Sequence, residues 1–444
     1  MKWLGFLLAL PLLAADYKAG FGRMDITPAQ PIYLSGYAAR KKPSEGVLQK
    51  IWAKALAIED NKGNRVVIVT TDLIGLPRHV SDQIGAEVEK RYRLRRNQLL
   101  LNSSHTHSAP VVHGNLTSMF DLTPGQKRAI TDYTQTLAKQ IADVVGSALG
   151  NMQTARLDIG HGTGSFAVNR RVLTPTGVKG GVNPAGPVDQ DVPVVRVAGA
   201  NGQLLGVLFG YACHNTTMGG DFFQVNGDYA GFAQASFEAA HPNSTAMFLM
   251  LCGADANPNP RGTVALVEQH GASLAKEVTR VLAGKLEPVS GQLRSAFHTA
   301  ELAFVPHTRE TFETESKDSN WYKQQRASAM LAAYDRRAPV RSIPYPVQGI
   351  RLGKSLTLVA LGGEVVVDYN LRLKKEFPGE NLIVAGYSND VMCYIPSLRV
   401  LKEGGYEAND SMIYYGQPGP FTEDVEDRVM QMVYKVMDRL GRKR

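Results

Sequence analysis

Residues 99–108 read LLLNSSHTHS. A short apolar run, of strand length, breaks off into a cluster of hydroxyls and imidazoles. The same arrangement recurs four more times. Residues 204–213 run into His214-Asn215-Thr216-Thr217, and 246–251 into Cys252-Gly253-Ala254-Asp255-Ala256-Asn257. Residues 356–361 run into Gly362-Gly363-Glu364, and 382–385 into Gly386-Tyr387-Ser388-Asn389-Asp390, with Tyr394 close behind. Open α/β sheets bind their ligands just beyond the carboxyl ends of the strands. Five such ends, carrying His, Glu, Asp and Tyr between them, are expected to meet in one site. The layout predicts an α/β fold of layered strands and helices and points to a metal-dependent enzyme.

The segments between these runs alternate accordingly. A strand is expected at 65–70, and helices at about 80–91, 124–149, 228–240, 264–282, 364–377 and 423–440. Strands alternating with helical patterns argue an α/β architecture. Two stretches depart from the pattern. Residues 174–191 are rich in Gly and Pro and read as a substrate-side loop. Residues 309–337 are polar and then helical, and read as a lid or small insert. No linker divides the chain, so residues 16–444 are expected to form a single catalytic domain.

The 444 residues are 44% apolar and 20% charged, as in a globular protein able to bury a large core. Residues 1–15 stand apart: Lys2 is their only charge, 3–13 are apolar, and Ala14-Ala15 precede Asp16. This reads as a secretory signal peptide cleaved near Ala15. The mature protein is therefore expected to be exported, to the periplasm or beyond, and soluble. No later stretch approaches the ~18 uninterrupted apolar residues of a membrane span. The net charge is +8, or +7 without Lys2. The densest basic runs are RYRLRR at 91–96 and the tail RKR at 442–444. The first holds a single aromatic residue, Tyr92, and no nucleic-acid-binding motif accompanies it; it reads as a solvated helix end, and no nucleic-acid partner is expected. Three cysteines, Cys213, Cys252 and Cys393, exclude a complete disulfide framework by their odd number. All three fall at the proposed strand ends, as thiolate ligands, as a nucleophile or as small buried packing residues.

His105 and His107 stand two apart, so in an extended segment both imidazoles face the same way. Imidazole is a standard zinc ligand, and catalytic zinc commonly takes three protein ligands plus water. His214 and Glu364 offer further ligands at two other strand ends. Taken alone, His214 could be a core histidine and Glu364 a charge at a helix N-terminus. Arg170, after Asn169, could hold a carboxylate or oxyanion in a bidentate manner through two guanidinium N–H groups. Asp255 and Asn257 sit in a Pro-punctuated turn, where such residues also serve local hydrogen bonding. No Gly-x-Ser-x-Gly elbow, P-loop or dinucleotide fingerprint is present.

These segments, in this order, resemble the catalytic domain of the neutral (alkaline, non-lysosomal) ceramidases. Ser104-His105-Thr106-His107-Ser108 is similar to the family's Thr-His-Thr-His-Ser-Gly-Pro segment, and Asn169-Arg170 to its Asn-Arg step. His214-Asn215-Thr216-Thr217-Met218 resembles its His-Gly-Thr-Ser-Met segment, and Gly363-Glu364 its Gly-Glu-Phe step. Gly386-Tyr387-Ser388-Asn389, through Tyr394-Ile395 to Gly405-Tyr406-Glu407, is similar to its Ser-Asn, Tyr-Ile and Tyr-Glu steps. The resemblance implies one zinc ion held by His105, His214, Glu364 and Tyr394, with His107 and Arg170 around the substrate carbonyl. The family's Gly-Asp-Val-Ser-Pro-Asn segment, whose Ser is implicated in catalysis, appears here as Ala254-Asp255-Ala256-Asn257-Pro258-Asn259. Asn257 is no comparable nucleophile, so metal-activated water is expected in its place, with Asp255 orienting it or accepting its proton. The family also continues into an immunoglobulin-like domain that does not follow here. The expected function is hydrolysis of an amide in a small or amphiphilic N-acylated substrate. An esterase of the same fold and a catalytically inactive amphiphile-binding relative are the alternatives.

Overall fold

The computed structural model describes residues 17–379 and 381–442. The expected signal peptide lies outside the described residues.

Nine strands form the larger sheet. From edge to edge its path is Thr245–Met250, Leu204–Tyr211, Asp191–Gly199, Gln153–Thr163, Tyr17–Asp25, Trp52–Asp60, Arg65–Thr71 and Leu99–Ser103, with Glu287–Val289 paired off the path to Gln153–Thr163. Only the pairs at its two edges are parallel: Leu204–Tyr211 with Thr245–Met250, and Arg65–Thr71 with Leu99–Ser103. A second sheet of Leu293–Ala303, Ser342–Leu352, Leu356–Leu361 and Asn381–Ala385 ends in another parallel pair. The α/β reading therefore holds, but in a mixed form. The parallel pairs are the ones whose carboxyl ends carry the polar clusters.

The two sheets lie face to face. Leu56, Ile68, Leu100, Leu208 and Met247 of the large sheet share one buried cluster with Ile350, Leu358 and Ile383 of the small one. Strand alternation sends the neighbouring residues Ala55, Val67, Val69 and Leu101 to the opposite face, under the helix Pro124–Gly150. That helix starts where its sequence directs: Thr123 caps the Gln126 N–H, the Gln126 side chain accepts from the Thr123 N–H, and Pro124 occupies the first turn. Helices Asp228–Ala240 and Val264–Ala283 extend this outer layer, and Val425–Arg439 covers the outer face of the small sheet.

One buried amide brings the strand ends together. Asn102 Nδ2 donates to the Gly386 carbonyl (2.8 Å) and to Ser388 Oγ (3.1 Å), while its Oδ1 accepts from the Met250 N–H (2.9 Å). Three of the five ends are thereby joined through a single side chain.

Two expectations change, and a third gains detail. Residues 364–377 do not begin as a helix. Glu364–Val365 is a short strand paired in parallel with Tyr394–Ile395, and the helix starts at Asp368. The β-branched Val365 and Val366 favour extended backbone there, and the chain turns into the helix only at Val367. The Gly- and Pro-rich stretch 174–191 contains a strand, Gly177–Asn183, that folds back on Ala167–Thr174 as a hairpin. The stretch 309–337 forms two helices, Arg309–Glu315 and Trp321–Asp335, the second joined to the body by the Tyr322 hydroxyl donating to the Ala38 carbonyl.

Candidate active site

The register Glu364↔Tyr394 sets two of the expected ligands side by side. His105 and His214 meet the same carboxylate: Glu364 Oε2 lies 3.1 Å from His105 Nε2 and 3.0 Å from His214 Nε2. The Tyr394 hydroxyl is 3.3 Å from His214 Nε2, and His107 Nε2 is 3.1 Å from His105 Nε2. His105, Glu364, His214 and Tyr394 are all buried.

The outward nitrogens fix the tautomers. His105 Nδ1 faces the Ile74 carbonyl at 2.6 Å and His214 Nδ1 faces the Gly253 carbonyl at 3.1 Å. A ring nitrogen that faces a carbonyl carries the proton, which leaves both Nε2 lone pairs turned inward. They converge on Glu364 Oε2, an acceptor with no hydrogen-bond donor of its own. Acceptors turned on one another in a dry site call for a cation. His105, His107 and His214 form a group able to hold a metal ion, their nitrogens all lying within 4.8 Å of one another. The electrostatics agree. Burial, then the positive Arg170, pushes His214 down to about 4, so it stays neutral. Burial with His105 and His214 alongside pushes His107 well below the ordinary histidine range. Tyr415 donates its hydroxyl to the other oxygen, Glu364 Oε1.

The backbone around this cluster is strained. His105, Tyr387 and Asn389 have φ of 61°, 48° and 66°. Left-handed conformations of this kind in residues other than Gly cost about 1–3 kcal/mol each and gather at functional sites. At Gly36 (φ 88°) the reason for glycine is direct: a Cβ there would sit 2.3 Å from His107 Nδ1.

Beside the cluster opens a cavity of ≈ 380 Å³, and His107, Arg170, Asn257 and Tyr394 line it. Arg170 Nη2 donates to the Tyr394 hydroxyl (2.9 Å), Nε to Glu407 (2.7 Å) and Nη1 to Asn257 Oδ1 (3.4 Å). Burial alone would lower the Arg170 guanidinium, but Tyr394 and Glu407 hold it protonated. Asn257 lies on the short strand Ala256–Pro258, paired with Ala167–Thr174, and this pairing rather than a free turn brings it to Arg170.

Asp255 is placed differently. Its Oδ1 accepts from the Val367 N–H (2.9 Å) and its Oδ2 from Asn169 Nδ2 (3.1 Å), and it is not among the residues lining the cavity. Burial pushes its carboxyl up to about 6. A water-orienting role does not fit this placement, because both oxygens face the structural core. The three cysteines are buried, and burial pushes each thiol well above its ordinary range, as expected of packing residues. Among the described residues, none from 309–337 lines the cavity, whereas Val178, Lys179 and Gly180 of the hairpin do.

A family model described as "Neutral/alkaline non-lysosomal ceramidase, N-terminal" matches residues 17–272. The chain belongs to this family. It is similar to the neutral ceramidase of Pseudomonas aeruginosa, 24% identical over 380 residues, which cover 80% of this chain and 54% of that protein. The neutral ceramidase of Drosophila melanogaster is 28% identical over 249 residues, 52% of this chain and 34% of that one. The chain thus spans about half the length, or less, of these curated relatives. The crystal structure of the Pseudomonas aeruginosa neutral ceramidase superposes with a TM-score of 0.74 at 20% identity, covering 97% of this chain and 75% of the other. The fold is therefore that of a ceramidase.

Sequence reasoning missed Tyr37, whose ring packs 4.8 Å from His107 while its hydroxyl donates to the Met218 carbonyl (2.7 Å). It also missed Tyr415. Neither sits in a motif, and their roles depend on chain crossings far away in sequence. The two backbone carbonyls that orient the histidines carry no side-chain signal.

Proposed function

We propose that this ceramidase-family protein is a zinc-dependent hydrolase of an amide bond in an N-acylated, ceramide-like substrate, acting after export. His105, His214, Glu364 and Tyr394 would hold the zinc. A zinc ion bound there would supply Lewis acidity toward the substrate carbonyl and lower the pKa of water. Arg170 stays charged beside Tyr394 and offers its guanidinium to the carbonyl oxygen as negative charge develops. Asn257, hydrogen-bonded to Arg170, adds an amide dipole at the same point. In the net reaction, water oxygen bonds to the carbonyl carbon, the carbon–nitrogen bond breaks, and the leaving nitrogen takes a proton. Neutral His107, which lines the cavity, would carry that proton. Asp255 acts through others, fixing Asn169 beside Arg170 and the segment that follows Glu364.

The observation that carries this reading is the convergence of imidazole nitrogens of His105 and His214 on Glu364, directly behind His107 and Tyr394, which line a cavity together with Arg170 and Asn257. The test is a panel of N-acyl amides and matched esters, assayed before and after chelation. Amide hydrolysis lost on chelation and restored by zinc is the expected result. Turnover of esters alone, or activity indifferent to chelation, would overturn it.

A further inference from the structure

The basic run at 91–96 divides in the structure. Arg91 pairs with Asp143 at 2.7 Å, and Arg96 turns inward to the Leu99 carbonyl and Asn389 Oδ1. Arg93 and Arg95 do neither. They line an open groove of ≈ 510 Å³ together with Arg65, Arg294 and Arg439, which come from three other parts of the chain. No acidic residue lines the groove. Of the five arginines only Arg65 has an ion-pair partner among the described residues, Glu59 at 3.2 Å. Like charges gathered without carboxylates repel one another, and a fold that gathers them gains by binding an anion. Arg93 also takes the left-handed position that ends helix Arg78–Tyr92 (φ 57°), where glycine is the usual choice. Crowding continues behind the groove: Arg351, affected by burial and then by Arg294, is shifted down, and Arg442 is shifted down by burial and Arg351.

The groove lies at the start of strands Arg65–Thr71 and Leu99–Ser103, whose far ends lead into the histidine cluster. At about 3.3 Å per residue it stands some 16–20 Å or more from the metal ligands. It is a separate site and does not depend on the amidase reading.

We infer that this arginine groove binds a phosphate-bearing anion, either a soluble phosphate compound or the headgroup of an anionic lipid. Guanidinium forks match phosphate oxygens two at a time. A single carboxylate offers only about four lone-pair sites, too few for four unpaired arginines, whereas polyvalent phosphate brings more oxygens and more charge.

The test uses the full chain, an Arg95→Gln/Arg294→Gln variant, and a Lys127→Gln/Arg128→Gln variant that loses the same charge on the exposed helix Pro124–Gly150. Binding of inorganic pyrophosphate is measured by calorimetry at low ionic strength. Cosedimentation is measured with phosphatidylglycerol vesicles against phosphatidylcholine vesicles. The inference predicts saturable binding that weakens steeply with salt, falls at least tenfold in the groove variant and persists in the charge-matched one. Pyrophosphate binding without vesicle binding assigns a soluble phosphate compound; selective binding to phosphatidylglycerol assigns the lipid headgroup. Absence of binding to both probes, or equal loss in the two variants, would overturn the inference.

Discussion

The two ends of strands Arg65–Thr71 and Leu99–Ser103 carry opposite kinds of polar chemistry. At the carboxyl end the groups are buried and neutral or paired, and each is oriented by a second contact: Ile74 for His105, Gly253 for His214, Tyr415 for Glu364, Glu407 for Arg170. At the amino end four of the five arginines are exposed cations with no ion-pair partner among the described residues, and only Arg65 is paired, with Glu59. Burial makes an unmet polar atom expensive, so the carboxyl end has to fix geometry. Water screens the amino end, so charge can collect there without fixed positions. One end is built for chemistry that depends on ångström placement, the other for attraction.

Substitutions should separate the two ends by the size of their effects. The largest is expected for Glu364→Gln, which replaces the one carboxylate facing two inward Nε2 atoms. Bound metal should be lost and kcat should fall by about a thousandfold or more, read by metal content and initial rates. Arg170→Ala should leave metal in place and lower kcat/KM by about a hundredfold to a thousandfold, with little rescue by Arg170→Lys, which lacks the planar fork. Loss of metal in Arg170→Ala would mean that Arg170 acts through Tyr394 instead. Tyr415→Phe removes one hydrogen bond to a ligand and should weaken metal affinity about 10–100-fold in a competition titration.

Acidity tests the burial argument. Burial and then Arg170 push His214 in the metal-free fold down to about 4, from 6.5 for a free histidine. The unfolded chain therefore binds more protons between these values. The His214 contribution is fully present above about pH 6.5 and is lost as pH falls toward 4. Urea unfolding of chelated protein should show roughly 2 kcal/mol of such loss over that window, absent from His214→Gln. An identical slope in the variant would place the titrating group elsewhere. The smallest effect belongs to the amino end: Arg294→Gln should change stability by less than about 0.5 kcal/mol in the same assay.

Much of the site was legible in the sequence because each strand announces its end. The apolar runs before His105, His214 and Glu364 could be read directly, and the structure brings those three residues together. Side-chain type carried Arg170 and Asn257 to the cavity as well. What was not legible depended on pairings between distant segments. The parallel register of Glu364 with Tyr394 is invisible in a stretch that reads as a helix start. The same holds for Asp255, whose partners Val367 and Asn169 come from either side in the chain, and for the hairpin within 174–191, where Gly and Pro hide a strand. The arginine groove is the extreme case: a run at 91–96 that reads as a solvated helix end acquires its meaning from Arg294 and Arg439.

The most direct test of the central claim is elemental analysis of the purified protein, prepared without chelator, beside a His105→Ala/His214→Ala variant. About one zinc ion per chain, absent from a variant whose circular dichroism shows it folded, is the predicted result. Full metal stoichiometry in that variant, or none in the unaltered protein even after incubation with zinc, would contradict it.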